Sequence, residues 1–136
     1  MAVITLTPAS VLRVTGPIRR ILSGEVLVEG AQVYYKSSDG RAYNAQSDGT
    51  AAEADAKGTA LNAASAAGKP VEVQEGGDLD VGAVLVAGEV YCLSTTAGKM
   101  IAKSELLTTE KVTVVGVAKT TSRIALAYKA SGAAIA

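Results

Sequence analysis

The chain has 136 residues, enough for one domain with its own hydrophobic core. Its 13 basic and 13 acidic residues cancel, so the net charge is not that of a nucleic-acid-binding protein and offers no attraction to an anionic membrane. The absence of histidine excludes histidine-based triads and histidine metal sites, and a single cysteine, Cys92, excludes an internal disulfide. We therefore expect a protein partner and a buried, unreactive Cys92.

The first twenty residues contain two short β-branched segments separated by Pro8. Two interpretations are open for this part of the chain: an arm that pairs with a neighbouring molecule, or an edge strand of the same domain. The apolar side chains that would make the contact are Val3, Ile4 and Leu6. The basic pair Arg19 and Arg20 follows, either as a contact for an acidic partner surface or as a solvated face.

A β-meander is predicted next by three short apolar segments separated by glycine-containing turns. The segments are Val26–Val28, Val33–Tyr35 and Arg41–Tyr43. Successive residues of a strand face opposite sides, so Tyr34 and Tyr35 cannot both enter one core. One of them points outward, where a tyrosine can anchor a protein interface, and Tyr35 is the candidate.

Residues 50–68 are rich in alanine, and helix propensity alone predicts a helix there. The repeat described below aligns part of this region with Gly116–Lys119, which continues a run of β-branched residues typical of a strand. We therefore predict a strand near Lys57–Leu61, preceded by a helical turn or loop, and a further strand over Pro70–Gln74.

The second half of the chain repeats the first. Gly24–Gly30, with the sequence GEVLVEG, recurs as Gly82–Gly88, with the sequence GAVLVAG. The match continues at an offset of about 58 residues, with one short insertion near Gln32. The predicted strands of the second unit lie near 84–86, 90–93, 99–101, 112–117 and 123–128. Residues 129–136 are predicted to be a mobile end or an inter-subunit strap.

These elements predict an all-β fold, a small β-barrel or β-sandwich with an internal tandem duplication and extended termini. Residues 1–20 form the N-terminal arm or edge strand. Residues 21–136 form a β domain of two repeats, at about 22–74 and 80–128, with a short C-terminal tail.

No catalytic motif is present in the sequence. The nucleophile elbow, the phosphate-binding loop and the dinucleotide-binding fingerprint are all missing. Asp78 and Asp80 lie on one side of an extended segment, but two carboxylates are too few for a calcium site, and the preceding glycines indicate a polar turn. We therefore expect neither enzyme activity, nor a bound metal, nor a cofactor.

Four phrases carry a resemblance: Lys57–Ala64, Ala87–Tyr91, Val114–Ala118 and Ala130–Gly132. They resemble small structural proteins of tailed bacteriophages, particularly capsid decoration or cement proteins, over roughly residues 22–132. The resemblance implies a β-rich virion protein that binds the outer capsid surface, commonly as a homotrimer, and stabilises the shell. The implied partner is the major capsid protein, with no direct contact to nucleic acid or membrane, after assembly in the host cytoplasm.

The sequence leaves two other functions open. A tail, fibre or baseplate component would normally show heptads or a fibre repeat, and neither is found. A carbohydrate-binding module would need exposed aromatic side chains to stack on sugar rings, and the chain has no tryptophan.

Overall fold

The computed structural model describes residues 3–4, 11–47, 50, 52–94, 96–105 and 111–134. Within these residues the prediction of an all-β fold is confirmed, because twelve strands form two antiparallel sheets. The described part contains one short 3-10 helix, Lys103–Glu105, and none of its helical segments is long and apolar enough to cross a membrane. The described strands do not close into a barrel.

The strands are β1 (Val3–Ile4), β2 (Leu12–Arg13), β3 (Ile18–Leu22), β4 (Gln32–Tyr35), β5 (Ala42–Asn44), β6 (Gly58–Ala60), β7 (Pro70–Gln74), β8 (Gly77–Asp80), β9 (Val90–Leu93), β10 (Met100–Ala102), β11 (Lys111–Ala118) and β12 (Arg123–Ala134). The five-stranded sheet has the order β3-β7-β6-β4-β5, and the seven-stranded sheet has the order β1-β10-β9-β11-β12-β8-β2. The five-stranded sheet is therefore built from a continuous stretch of chain, whereas the seven-stranded sheet joins both ends of the described chain.

Each sheet has its own hydrophobic core made mainly of small and β-branched side chains. Val33, Val71 and Val73 pack with several alanines on the five-stranded sheet. Tyr91 and Ile124 belong to the larger cluster on the seven-stranded sheet. A third cluster joins the two sheets, and its buried members are Tyr34, Ala45, Ala56 and Leu93.

A buried polar bridge also joins the sheets. The hydroxyl of Tyr128, on β12, donates to Gln32 Oε1 on β4 at 2.5 Å and lies 2.5 Å from Thr59 Oγ1 on β6. Gln32 and Thr59 are both fully buried, so their polar atoms depend on partners within the protein. The two sheets are thereby joined by hydrogen bonds of fixed direction as well as by apolar packing.

The same strand order occurs twice. We match β3 to β7, in chain order, with β8 to β12. The order β3-β7-β6-β4-β5 of the five-stranded sheet then corresponds to the order β8-β12-β11-β9-β10 of the inner strands of the seven-stranded sheet. Backbone hydrogen bonds recur as well: Gly30 N–H donates to the Ala60 carbonyl at 2.8 Å, and Gly88 N–H donates to the Ala118 carbonyl at 2.7 Å. Both donors and both acceptors are 58 positions apart, and the two glycines share the left-handed region, with φ of 92° and 84°.

The strand ladders keep the offset of 58 positions near Gln32, where the sequence alignment predicted an insertion. Val33 pairs with Gly58 in the five-stranded sheet, and Tyr91 pairs with Gly116 in the seven-stranded sheet. Val33 and Tyr91 are 58 positions apart, and so are Gly58 and Gly116. The predicted insertion near Gln32 is therefore wrong. The dipeptide Val-Tyr occurs in both strands, but the two copies lie one residue away from the correspondence that the ladders define. Aligning the two dipeptides by sequence therefore introduced a false insertion.

The repeated phrase GxVLVxG forms a loop in both units, so the strands predicted at 26–28 and 84–86 are wrong. Leu27 and Leu85 are buried in the two cores, while the valines beside them are exposed. Leu27 N–H donates to the Ala64 carbonyl at 2.9 Å, and Leu85 N–H donates to the Thr121 carbonyl at 2.8 Å. In each loop, one buried leucine lies between two exposed valines. This arrangement produces the alternating pattern of a strand, although no neighbouring strand forms a ladder with the loop.

The strand predicted near Lys57–Leu61 is confirmed as β6, and the strand over Pro70–Gln74 is confirmed as β7. The polar turn predicted at Asp78 is wrong, because Gly77–Asp80 forms β8 between β12 and β2. Here pairing on both sides of the strand overrides the turn propensity of glycine and aspartate.

The C-terminal prediction also needs correction. Residues 129–134 continue β12 and pair with β11, so that Ala130 lies opposite Thr113 and Ala134 opposite Lys111. A mobile end is therefore the wrong description of these residues. The sequence of residues 129–134, KASGAA, has low strand propensity, and backbone pairing with β11 determines the conformation instead.

Candidate protein interface

β3 is the edge strand of the five-stranded sheet and carries a row of exposed side chains. Ile18 and Leu22 are 38% and 45% exposed, and the Arg20 side chain between them is 85% exposed. Alternate residues of a strand share one face, so these three side chains form a single row. Ile21 lies on the opposite face and packs against the core.

The hydrogen bonds at the two ends of β3 show which of its backbone groups face outward. Glu75 N–H donates to the Pro17 carbonyl at 3.0 Å, and Ser23 N–H donates to the Lys69 carbonyl at 2.8 Å. In an antiparallel pair, hydrogen-bonded and non-hydrogen-bonded positions alternate, so positions 17, 19, 21 and 23 face β7. The residues that direct their N–H and carbonyl groups away from β7 are Ile18, Arg20 and Leu22. A parallel bridge between Ser23 and Ala42 brings the chain against β5 at the end of β3, so the open part of this edge contains Ile18 and Arg20.

The Arg19 side chain lies on the inner face of β3, opposite to that of Arg20, and belongs to a compact cluster. Its guanidinium carbon is 5.1 Å from the centre of the Tyr35 ring, a cation–π contact. Arg19 Nε donates to Glu75 Oε2 at 3.0 Å, and the Tyr35 hydroxyl donates to the same oxygen at 2.7 Å. Burial, together with the hydrogen bond to Glu75, raises the pKa of Tyr35. The phenol is therefore held as a neutral donor at physiological pH.

Arg20 forms an ion pair on the outer face. Its Nε donates to Glu72 Oε2 at 3.1 Å, and the Glu72 side chain is 44% exposed. These two side chains line an open groove of about 290 Å³ together with Asn62, Pro70 and Val71. Asn62 stiffens the groove wall, because its Oδ1 accepts from Glu72 N–H at 2.8 Å and its Nδ2 donates to the Pro70 carbonyl at 3.2 Å.

Two further exposed apolar features are the valine loops, residues 24–30 and 82–88. Val26 and Val28 are 58% and 52% exposed in the first loop, and Val84 and Val86 are 38% and 66% exposed in the second. The Val86 N–H donates to the buried Tyr91 hydroxyl at 2.9 Å, which fixes the second loop against its sheet. The molecule therefore presents the same pair of apolar side chains at two corresponding places.

A second groove, of about 400 Å³, lies elsewhere, next to β4, and residues 34, 36–38, 50, 52 and 53 line it. Thr50 and Glu53 satisfy one another: Thr50 N–H donates to Glu53 Oε1 at 2.9 Å, and Glu53 N–H donates to Thr50 Oγ1 at 3.2 Å. The hydrogen bonds from Thr50 lower the pKa of Glu53. These polar groups stabilise the loop itself, so the groove is a weaker candidate than β3.

The described residues contain no group of three or more histidine, cysteine or acidic side chains arranged to hold a metal ion. Asp78 Oδ2 accepts from Lys119 Nζ at 2.8 Å, and Asp80 Oδ1 accepts from Gly82 N–H at 3.0 Å. These two carboxylates therefore have structural partners.

The structure brings Arg19 and Tyr35 into direct contact, and it places Arg20 beside Arg19 with its side chain on the opposite face. Val3 and Ile4 form β1, which pairs with β10 at an edge of the seven-stranded sheet and is separate from this cluster. Leu6 lies outside the described residues.

Four residues of the β3 surface were not predicted from the sequence: Ile18, Leu22, Glu72 and Glu75. Glu72 could have been suspected, because β7 alternates valine with polar residues and an opposite charge on the neighbouring strand stabilises such a pair, whereas Glu75 follows β7 and carries no such signal. The two apolar residues flank the arginine pair within a five-residue strand.

Comparisons of this chain with protein-family models, with curated proteins and with solved structures found no match.

Proposed function

We propose that this protein is a non-enzymatic structural protein of a tailed-bacteriophage virion that binds the outer capsid surface and stabilises the shell. The observation that carries the proposal is the pair of corresponding valine loops, which present similar exposed side chains at two places on one molecule. Two similar contact surfaces on one body suit a lattice of repeated subunits, because the second contact forms at high effective concentration. The resemblance of four sequence phrases to capsid decoration proteins supports the same role.

We further propose that the chain arose by tandem duplication, with one sheet at the centre of each copy. The shared strand order, the hydrogen bonds that recur 58 positions apart and the matching left-handed glycines support this origin. Duplication accounts for the presence of two valine loops, because the contact surface was copied with the fold.

The proposed partner is the major capsid protein, and the proposed assembly is a homotrimer at a symmetry axis of the shell. Burying one fully exposed valine side chain contributes about 1.5 kcal/mol. The four valines of the two loops, each 38–66% exposed, then contribute about 3 kcal/mol in total. A trimer presents three such sets, so weak single contacts become firm attachment through avidity.

Co-sedimentation tests the proposal. The purified protein is mixed separately with expanded, undecorated capsids and with tails of the phage that encodes it, and each mixture is pelleted. We expect the protein to pellet with capsids. Failure to pellet with intact capsids would refute the capsid role, and attachment to tails alone would favour a tail or baseplate component.

Matched valine variants identify the surface used. Val28→Ser and Val86→Ser each remove one loop contact, and we expect each to weaken capsid binding and the double variant to abolish it. Val117 is 41% exposed but lies on β11, outside both loops, so Val117→Ser is expected to bind normally. Equal loss in all three variants would show that the loops have no special part in attachment.

A further inference from the structure

We propose that the outer edge of β3 binds an extended acidic segment of a partner protein by strand addition. The partner segment would run antiparallel to β3 and extend the five-stranded sheet by one strand. This inference specifies the chemistry of one partner segment, and it does not depend on whether the partner belongs to the capsid.

The first argument comes from the correspondence between the two sheets. β8 occupies the place in the seven-stranded sheet that β3 occupies in the five-stranded sheet. β8 has a further strand on its outer edge, β2, which pairs antiparallel with Leu12 opposite Asp80 and Arg13 opposite Leu79. Among the described residues, no strand occupies the same position beside β3. The place filled by β2 on one sheet is thus open on the other.

The opposite edge of the five-stranded sheet differs, because the chain covers it. Beyond β5, Gly24 N–H donates to the Ala42 carbonyl at 2.8 Å, and Asn44 N–H donates to Glu25 Oε2 at 2.8 Å. A side-chain carboxylate and a short backbone contact thereby satisfy the β5 edge. The segment that covers β5 continues directly from β3 through the bridge at Ser23, so among the described residues the open edge of this sheet is the stretch of β3 before Leu22.

Charge indicates which segment fits. β8 carries Asp78 and Asp80, and the strand that covers it contributes Arg13. The ladders place Arg20 where Asp80 stands in the other sheet, so the exposed row of β3 carries a cation at a position where β8 carries an anion. By charge complementarity, the strand that covers β3 is acidic.

The row of exposed side chains defines the pattern of the partner segment. An acidic residue opposite Arg20 would have apolar residues two positions away on each side, opposite Ile18 and Leu22. The ion pair of Arg20 with Glu72 uses Nε, so its terminal nitrogens can take a second carboxylate in a bidentate pair. The preferred segment therefore has an apolar residue, any residue, Asp or Glu, any residue, and an apolar residue.

A second copy of this chain is a poorer occupant of the same edge. Antiparallel pairing of β3 with another β3 brings the arginines of both strands close together across the new ladder. Like charges on facing strands are destabilising. An acidic segment of a different protein meets the same backbone groups and converts this repulsion into attraction.

The experiment uses the full-length protein, isotope-labelled for NMR, and a blocked peptide of sequence TVTETVT. We expect the amide signals of residues 18 and 20 to shift on titration and their hydrogen exchange to slow. Arg20→Glu is expected to weaken binding of this peptide about tenfold, the value of one charged hydrogen bond, and to favour the peptide TVTKTVT instead. Arg13→Glu, the same charge change at an edge of the other sheet, is expected to leave binding unchanged.

Three results would overturn the proposal. One is the absence of shifts at β3 up to millimolar peptide with a folded protein, as judged by the remaining amide signals. Another is equal binding of the Glu and Lys peptides to the unmodified protein. The third is slow exchange of the β3 amides without peptide in a dimer seen by sedimentation, which would assign the edge to a second copy. Capsid co-sedimentation is independent of all three results, so failure of this inference is distinguishable from failure of the proposed function.

Discussion

Replacing Tyr128 with phenylalanine tests the buried bridge that joins the two sheets. The substitution keeps the ring and removes an oxygen that lies 2.5 Å from both Gln32 Oε1 and Thr59 Oγ1. The two partners retain their mutual hydrogen bond of 3.2 Å. Because neither partner is left without a hydrogen bond, the loss is that of an ordinary hydrogen bond, about 0.5–1.5 kcal/mol, and we expect the free energy of unfolding at neutral pH to fall by about 1 kcal/mol.

The same variant has a pH signature. Burial raises the pKa of Tyr128 above the ordinary value of 10.0. Because the folded state holds the proton more tightly than the unfolded state, this stabilisation is complete below that ordinary pKa and is lost as the pH rises through the folded-state pKa. Within that window one such tyrosine lowers the free energy of unfolding by about 1.4 kcal/mol per pH unit. Tyr128→Phe lacks this loss, whereas the raised pKa of Tyr35 keeps a similar contribution in both proteins.

Urea unfolding followed by far-UV circular dichroism, at neutral pH and about one unit above pH 10, measures both effects. We expect the variant to be less stable at neutral pH and to lose less stability at alkaline pH than the unmodified protein. Thr59→Val alone and combined with Tyr128→Phe completes a double-mutant cycle, in which the two losses are expected to be non-additive. Equal neutral stabilities, or parallel alkaline losses, would refute the assignment of a buried, bridging hydroxyl.

Three further predictions concern Gly116, Tyr35 and Cys92. Gly116→Ala places a Cβ 2.2 Å from the Ala125 carbonyl oxygen, so we expect it to lower the free energy of unfolding by about 1–3 kcal/mol. Gly76→Ala, whose nearest contact is 3.7 Å, is expected to change it by less than about 0.5 kcal/mol, and equal effects in urea unfolding would contradict the close approach. Tyr35→Phe removes one hydrogen bond to a carboxylate, and we expect a loss of about 1 kcal/mol at neutral pH by the same measurement, whereas an unchanged value would show that the bond adds nothing. The Cys92 thiol is 0% exposed, so it is expected to react with DTNB in denaturant but not in native buffer, and rapid native reaction would argue against this packing.

The repeat predicted β6 correctly because the positions it aligned are governed by backbone contacts. At Gly58 a Cβ would meet Val73 Cγ1 at 2.3 Å and the Gln74 carbonyl oxygen at 2.7 Å. A glycine is therefore needed there, whatever helix propensity the neighbouring alanines have. This requirement is visible in the sequence only because the same glycine recurs at Gly116.

The predictions that failed depended on distant partners. β3 was missed because two arginines interrupt its apolar pattern, and its pairing with β7 joins residues about 50 positions apart. The valine loops were predicted as strands, since their alternation is the same whether a ladder or a single buried leucine produces it. Arg19 and Tyr35 were identified as candidates from residue type, but their common partner, Glu75, depends on the tertiary register of β3, β4 and β7.

The positions of β1 and β2 have a consequence for folding. The five-stranded sheet uses residues 18–74, so its strands can pair with one another without any residue that follows Gln74. β1 precedes this stretch in the chain, yet its partner β10 begins at Met100. Pairing of such distant segments is the slow part of folding. We therefore expect the five-stranded sheet to form early, and the β1 edge of the seven-stranded sheet to close late, after β10 has found its place.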